Sequence, residues 1–200
     1  MLRSSFSNDK IEAGCDEAGR GCLAGPVVAA AVIFPSDYRN KALNDSKILS
    51  KKKREELRSE IENDAVSYAI AEASNAEIDE INILNASYLA MHRAIDQLTT
   101  RPQLLLIDGN RFNAYSNLPH ECIIKGDGKF LSIAAASILA KTYRDDLMTK
   151  HAKKYGGYGW ETNAGYPTQE HRDAIRKSGV TPLHRMSFQL IPNQLNLFED

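Results

Sequence analysis

Four acids stand where packing has no use for them. Asp16 and Glu17 close an apolar run within IEAGCDEAGRGCLAGPVVAAAVIFP, Ile11 to Pro35. Asp108 ends the run Leu104–Ile107, and Asp127 follows the run Cys122–Ile124 by way of Lys125 and Gly126. A buried carboxylate is costly unless it is paired or bound to a cation. Runs of this kind read as strands, and the ends of strands are where an α/β sheet builds its sites. If the three strands are neighbours, the four carboxylates converge. Two carboxylates ~4 Å apart repel by about 4 kcal/mol at an effective dielectric near 20, so such a cluster calls for a cation or a raised pKa. All-oxygen donors favour Mg²⁺ or Mn²⁺ over zinc, and acid-held hard ions are an apparatus for phosphodiester hydrolysis. Taken singly, Asp108 and Asp127 read better as polar turn residues beside Gly109 and Gly126. The repetition at three strand ends decides for a site.

The elements that must position these acids follow from pattern. Ile11–Pro35 reads as two strands joined by a Gly/Pro turn, Gly19 to Pro26. Ser50 is placed to cap a helix that buries Leu57 and Ile61. VSYAIAEA, Val66 to Ala73, alternates as a third strand. Leu84, Tyr88, Met91, Ile95 and Leu98 recur at helical spacing. Two short buried strands follow, ending at Asp108 and near Asp127. Ser132 to Lys150 reads as a long helix whose Ala134, Ala135, Ala136 and Ala140 permit close packing. A last helix opens at Pro167 and Thr168 and stops before Gly179 and Pro182. A hairpin followed by alternating strands and helices predicts an α/β fold, a mixed sheet flanked by helices with a helical C-terminal region.

Composition narrows the class. Two hundred residues at 42% hydrophobic and 26% charged suffice for one globular domain with a sizeable core. A net charge of -1 gives no global basic field, so any nucleic-acid partner must be held by a local patch. Cys15, Cys22 and Cys122 have no C-x-x-C spacing, and neither a disulfide framework nor a zinc site is indicated. The absence of an apolar leader or membrane-length run reads as a cytoplasmic protein without a membrane partner. Gly19-Arg20-Gly21-Cys22-Leu23-Ala24 formally fits the dinucleotide fingerprint G-x-G-x-x-A. That fingerprint must open a helix, whereas Pro26 and a Val-rich run follow here, and Asp16 and Glu17 would repel a pyrophosphate.

The motifs DEAGRG, LAGPV, NDSK, LLIDGN, KGD, SIAAASILAKTYRD, AGYPT and TPLHRMSF, in this order, resemble ribonuclease HII from about Ile11 to Phe188. The resemblance implies a ribonuclease H-like fold over residues 1–190. It also implies hydrolysis of the RNA strand of RNA–DNA hybrids, and cleavage on the 5′ side of single ribonucleotides embedded in duplex DNA, leaving a 3′-hydroxyl and a 5′-phosphate. Asp16, Glu17, Asp108 and Asp127 take the family's catalytic, metal-binding positions, with Mn²⁺ or Mg²⁺ as cofactor. Gly19, Arg20 and Gly21 take the turn that lies against the ribonucleotide and helps read its 2′-hydroxyl. That hydroxyl is the group that separates RNA from DNA at one sugar. Tyr166 resembles the tyrosine that stacks near the scissile junction; read alone it is a half-buried tyrosine before a helix cap. His184, Arg185 and Ser187 resemble phosphate contacts; Lys47 of NDSK, with Lys51, Lys52, Lys53 and Arg54 nearby, supplies a basic face, and Lys125 and Lys141 are further candidate phosphate contacts. The chain departs from the commonest family version at Cys22, where Pro is usual.

Residues 191–200 follow the last family motif. Leu195, Leu197 and Phe198 are apolar in a terminus that should otherwise be polar and frayed. Gln194-Leu195-Asn196-Leu197-Phe198 resembles the pentapeptide by which bacterial replication and repair proteins engage the sliding clamp, with apolar anchors set in a preformed groove. The other reading has Leu197 and Phe198 folding back over a core edge.

Overall fold

The structure, a computed structural model, describes residues 2–7, 9–43, 46 and 49–191. Five strands, β1 (Glu12–Ala18), β2 (Val27–Ile33), β3 (Ser67–Ala73), β4 (Leu104–Asp108) and β5 (His120–Ile123), form one sheet in the order β3-β2-β1-β4-β5. β1, β2 and β3 pair antiparallel, whereas β4 and β5 join parallel to β1. This is the mixed sheet read from the sequence. Every residue of β2, VVAAAVI, is buried, as expected of a strand covered on both faces.

Among the described residues, five helices accompany the sheet: α1 (Lys51–Asp64), α2 (Asn75–Asp96), α3 (Leu131–Lys154), the single turn α4 (Trp160–Asn163) and α5 (Gln169–Ser178). The two-residue period of the strands divides the core. Ala13, Cys15, Ala29 and Ala31 face α2 through Ala86, Ala90 and Met91. Val28, Ala30 and Val32 face α1 and α3 through Leu57, Ile61, Ala135 and Leu139. α3 lies almost on β1. A Cβ on Gly14 would sit 2.3 Å from the Ser132 carbonyl carbon, so only glycine admits the helix there. α4, α5 and the segment to Leu190 gather around Met148, Tyr158, Trp160 and Ile175, and close over Leu23 and Ala24 of the β1–β2 turn.

Two boundaries differ from the sequence reading. α2 starts at Asn75, under a reciprocal cap of Ser74 and Glu77, not near Leu84. Asn82 interrupts it at φ 67°, and its side-chain oxygen accepts from the amides of Leu84 and Asn85. The periodic stretch beginning at Leu84 is thus a helical segment with its own cap. Asp127 does not end a strand. β5 finishes at Ile123, and Asp127 sits in a 3₁₀ turn, Gly126–Gly128, just before α3. The turn is entered through Lys125 in the left-handed region, φ 54°.

Candidate active site

The parallel pairing of β1 and β4 sets Cys15 opposite Ile107, which brings the following residues, Asp16 and Asp108, side by side. Both alternate onto the α3 face of the sheet, opposite to Cys15 and Ile107 in the α2 core. The turn before α3 delivers Asp127 to the same place. One carboxylate oxygen from each of Asp16, Asp108 and Asp127 lies within 4.8 Å of the others. Asp16 and Asp127 are 4% and 3% exposed.

Hydrogen bonds fix the trio. The Glu17 amide donates to Asp16 Oδ1 at 2.7 Å, and the Gly126 amide donates to Asp108 Oδ1 at 2.6 Å. The Ser137 hydroxyl, on α3, bonds Asp16 and lies 2.9 Å from the Ser46 hydroxyl. Burial pushes the Asp16 carboxyl well above the usual range. The charges of Glu17 and Asp108 push the same way, and the bonds from Ser137 and the Glu17 amide only partly offset them. Crowded, desolvated and made wholly of oxygen donors, the cluster fits a hard divalent cation.

Glu17 takes the other alternation of β1. It is not one of the converging trio; it lines the same cleft and accepts from Arg20 Nη1 at 3.1 Å. The cleft holds about 370 Å³. Its walls are Asp16, Glu17 and Asp108, the Gly19–Gly21 turn, and Ser46, Arg54, Ser137, Lys141 and Tyr166. Tyr166 therefore lines the same cleft as Asp16. Its ring is 37% exposed, Lys141 Nζ lies 5.3 Å from its centroid, and its hydroxyl is bonded with the Cys22 thiol. Ser46 and Ser137 were not singled out from sequence, and Arg54 only as part of the basic face near Lys47. Ser137 carried a signal: a hydroxyl among the alanines of a helix face that is otherwise buried and apolar.

The structure places three expected phosphate contacts away from the cleft. His184 and Arg185 are 1% and 0% exposed, and neither lines the cleft. His184 Nδ1 accepts from the Thr181 amide at 2.8 Å, and its Nε2 lies 3.3 Å from His171 Nε2. That pairing buries the ring against Trp160, and burial, followed by the proximity of His171, lowers its pKa to about 4. The Arg185 guanidinium is consumed by backbone carbonyls of the β1–β2 turn. Ser187 is exposed, and its hydroxyl and amide both bond Asp79 at the start of α2. Lys125 is exposed on its turn and is not a cleft residue. Lys47, Gln194, Leu195, Leu197 and Phe198 lie outside the described residues. No described helix is long and apolar enough to cross a membrane.

Comparison with known proteins gives these residues a context. The family model of ribonuclease HII matches residues 13–191. A ribonuclease HII of Parabacteroides distasonis is 61% identical over 197 residues, 98% of this chain and 99% of the relative. Among solved structures, the ribonuclease H2 of Pyrococcus horikoshii superposes with a TM-score of 0.74 at 26% identity, covering 90% of this chain and 94% of its own. A structure of the PCNA complex of the Archaeoglobus fulgidus ribonuclease HII matches with a TM-score of 0.73 at 25% identity, over 94% of this chain and 100% of the other.

Proposed function

The chain belongs to the ribonuclease HII family, a ribonuclease H that cleaves RNA–DNA hybrids with a divalent metal, and from that premise we propose a finer activity. It cuts on the 5′ side of a single ribonucleotide embedded in duplex DNA, leaving a 3′-hydroxyl and a 5′-phosphate. The observation that carries this reading is the cleft itself. The Gly19–Gly21 turn and Tyr166 share it with Asp16, Glu17 and Asp108, and Asp127 closes the acid cluster beside Asp16 and Asp108, so one sugar–phosphate unit can meet turn, ring and acids together.

Asp16, Asp108 and Asp127 hold Mn²⁺ or Mg²⁺, with Glu17 as the fourth acid. When bound, the metal supplies charge neutralisation at the phosphate and activation of water for attack. The chain's own residues do the rest. Among the described residues, the amides of Arg20 and Gly21 donate to no backbone carbonyl, and they are offered to the ribose 2′-hydroxyl. Tyr166 stacks on the sugar–base unit at the junction. Lys141 draws the strand's phosphate towards the cleft. The three cysteines are free, in keeping with a reducing cytoplasm.

The deciding assay incubates the protein with duplex DNA carrying one internal ribonucleotide, in Mg²⁺, Mn²⁺ or EDTA. A metal-dependent nick 5′ to the ribonucleotide, re-extendable from its 3′-hydroxyl, is expected. Cleavage confined to long hybrids would return the chain to the general ribonuclease H activity.

A second reading concerns the tail. We propose that Gln194, Leu195, Leu197 and Phe198 dock on the replication sliding clamp. The solved complex of the archaeal relative with PCNA supports a partner of this kind. A labelled Asn193–Asp200 peptide and the full chain, with and without Leu197→Ala and Phe198→Ala, are titrated against the clamp of the same cell. No binding by the intact chain ends this reading. Loss of thermal stability without a clamp effect supports packing of the tail on the domain instead.

A further inference from the structure

The sequence TPLHRMSF does not reach the cleft, yet its arginine is among the most deeply buried side chains of the protein. Arg185 is 0% exposed, and Arg144 of α3 is 1% exposed. A buried guanidinium costs several kcal/mol unless its donors are satisfied. Here backbone carbonyls satisfy them. Arg185 Nε donates to the Gly25 carbonyl at 2.9 Å, one terminal nitrogen to Arg20 at 2.9 Å, and the other to Gly19 at 2.7 Å and Pro26 at 3.1 Å. Arg144 Nε donates to the Pro26 carbonyl at 3.0 Å, and its terminal nitrogens to Ala24 at 3.0 Å and Ala164 at 2.8 Å. The turn is moulded on these side chains. A Cβ on Gly19, at φ 96°, would lie 2.1 Å from Arg144 Nε.

We infer that Arg144 and Arg185 are positioning residues for substrate reading: two buried guanidinium forks that hold the Gly19–Pro26 turn and the Ala164–Tyr166 segment in one fixed relation. The geometry has a direct consequence. Carbonyls drawn inward at Gly19 and Arg20 turn the intervening peptide units so that amides are left for the cleft side. The same forks set Tyr166, because Arg144 bonds Ala164 while the Leu23 amide donates to the Gly165 carbonyl at 2.8 Å. The Arg185 amide donates to the Leu23 carbonyl at 2.9 Å, which closes the turn from the C-terminal side. Burial pulls Arg185 down to about 10, with Arg144 acting in the same direction and Cys22 against it, so the fork stays charged at neutral pH. Lysine cannot replace it, since one ammonium cannot span three nitrogen positions in a plane.

This inference rests on the reading that the glycine turn faces the ribonucleotide, and the experiment separates the two. Gly21→Ala tests the reading. No atom lies within 4 Å of the added methyl and Gly21 is not at positive φ, so the fold tolerates it and only a substrate is obstructed. Arg185→Lys tests the inference. The readouts are the melting temperature, its rise with Mn²⁺, and kcat and KM on duplex carrying one ribonucleotide. For Arg185→Lys we expect a cooperative melt, a retained rise with Mn²⁺, and kcat reduced roughly tenfold to a hundredfold with KM changed far less. Unchanged kcat in the folded variant overturns the inference. A raised KM at constant kcat overturns it too, in favour of a direct phosphate contact. If Arg185→Lys does not melt cooperatively, Arg144→Lys, which loses only the bonds to Ala24, Pro26 and Ala164, is judged by the same criteria. Unfolding of both overturns the inference, because the forks would then serve the fold as a whole. Full activity of Gly21→Ala with impaired Arg185→Lys discards the reading of the turn, and with it the inference.

Discussion

Asp16→Asn should stabilise the metal-free protein and abolish its activity. One oxygen of Asp16 lies within 4.8 Å of one on Asp108 and one on Asp127. At that separation a pair of charges repels by about 3.5 kcal/mol at an effective dielectric near 20. Asparagine removes the charge and keeps an oxygen for the Glu17 amide, which donates at 2.7 Å. Allowing for the bond from Ser137 that favours the carboxylate, a net gain of about 2 kcal/mol remains, or about 4–8 °C in Tm for a chain of this size. The sign with pH follows from the raised pKa. The unfolded carboxyl ionises near pH 4, the folded one later, so folding binds a proton and wild-type stability falls as pH rises from about 4, by at most about 1.4 kcal/mol per unit. Asparagine does not titrate. The gap between variant and wild type should therefore be near zero at about pH 4 and grow as pH rises, until the folded carboxyl has ionised. Divalent metal should reverse the order, since saturation a hundredfold above Kd stabilises the wild type by about 2.7 kcal/mol and the variant by less. Calorimetry in EDTA across this range, repeated with Mg²⁺, checks every step. A variant that melts below wild type in EDTA at about pH 8, or a gap that ignores pH, refutes the reasoning.

Tyr166→Ala should slow single-turnover cleavage at an embedded ribonucleotide by up to roughly a hundredfold, the worth of one base–aromatic stack at ~1–3 kcal/mol. The Mn²⁺-induced rise in Tm should be unchanged, and an unaltered rate would make Tyr166 a structural residue. Gly14→Ala should cost about 3 kcal/mol or more, since its methyl would meet Ser132 backbone at 2.3 Å that cannot yield without moving α3; a denaturant midpoint near wild type would show that α3 has slack. Glu77 is held at about 2, first by Arg93 and then by the Ser74 amide. Its contribution is present above the unfolded value near 4.3 and disappears as pH falls through about 2. Glu77→Gln should accordingly lose about 1 kcal/mol at neutral pH, limited by solvent screening of a partly exposed pair, and nothing at about pH 2; a pH-independent loss would assign the effect to packing.

Legibility in the sequence followed the chemistry of each residue. Acids inside apolar runs violate packing, so Asp16 and Asp108 stood out, and parallel pairing of adjacent strands did the rest. Asp127 was expected at a strand end and lies in a turn instead. The apolar run before it is real, but Lys125 in a left-handed conformation redirects the chain, and a turn before α3 carries the acid. The first turns of α2 lacked periodicity because Asn82 breaks the register, although Ser74 and Glu77 spelled the capping pattern at the correct spacing. Arg185 shows a deeper limit. A buried cation is recognised in sequence by an acidic partner at a suitable spacing, and this one is satisfied by carbonyls of residues 19 to 26, more than 150 positions away. Backbone acceptors exist at every residue and leave no compositional trace. His184 is hidden in the same way, since its partners are the Thr181 amide and a histidine that packs on Trp160. Side chains of the candidate site can thus be inferred from residue type, whereas side chains that hold the backbone beside them require the fold. In this protein the second kind lies directly behind the first, with Arg144 bonded to Ala24 and Ala164, and Arg185 to Gly19 and Arg20.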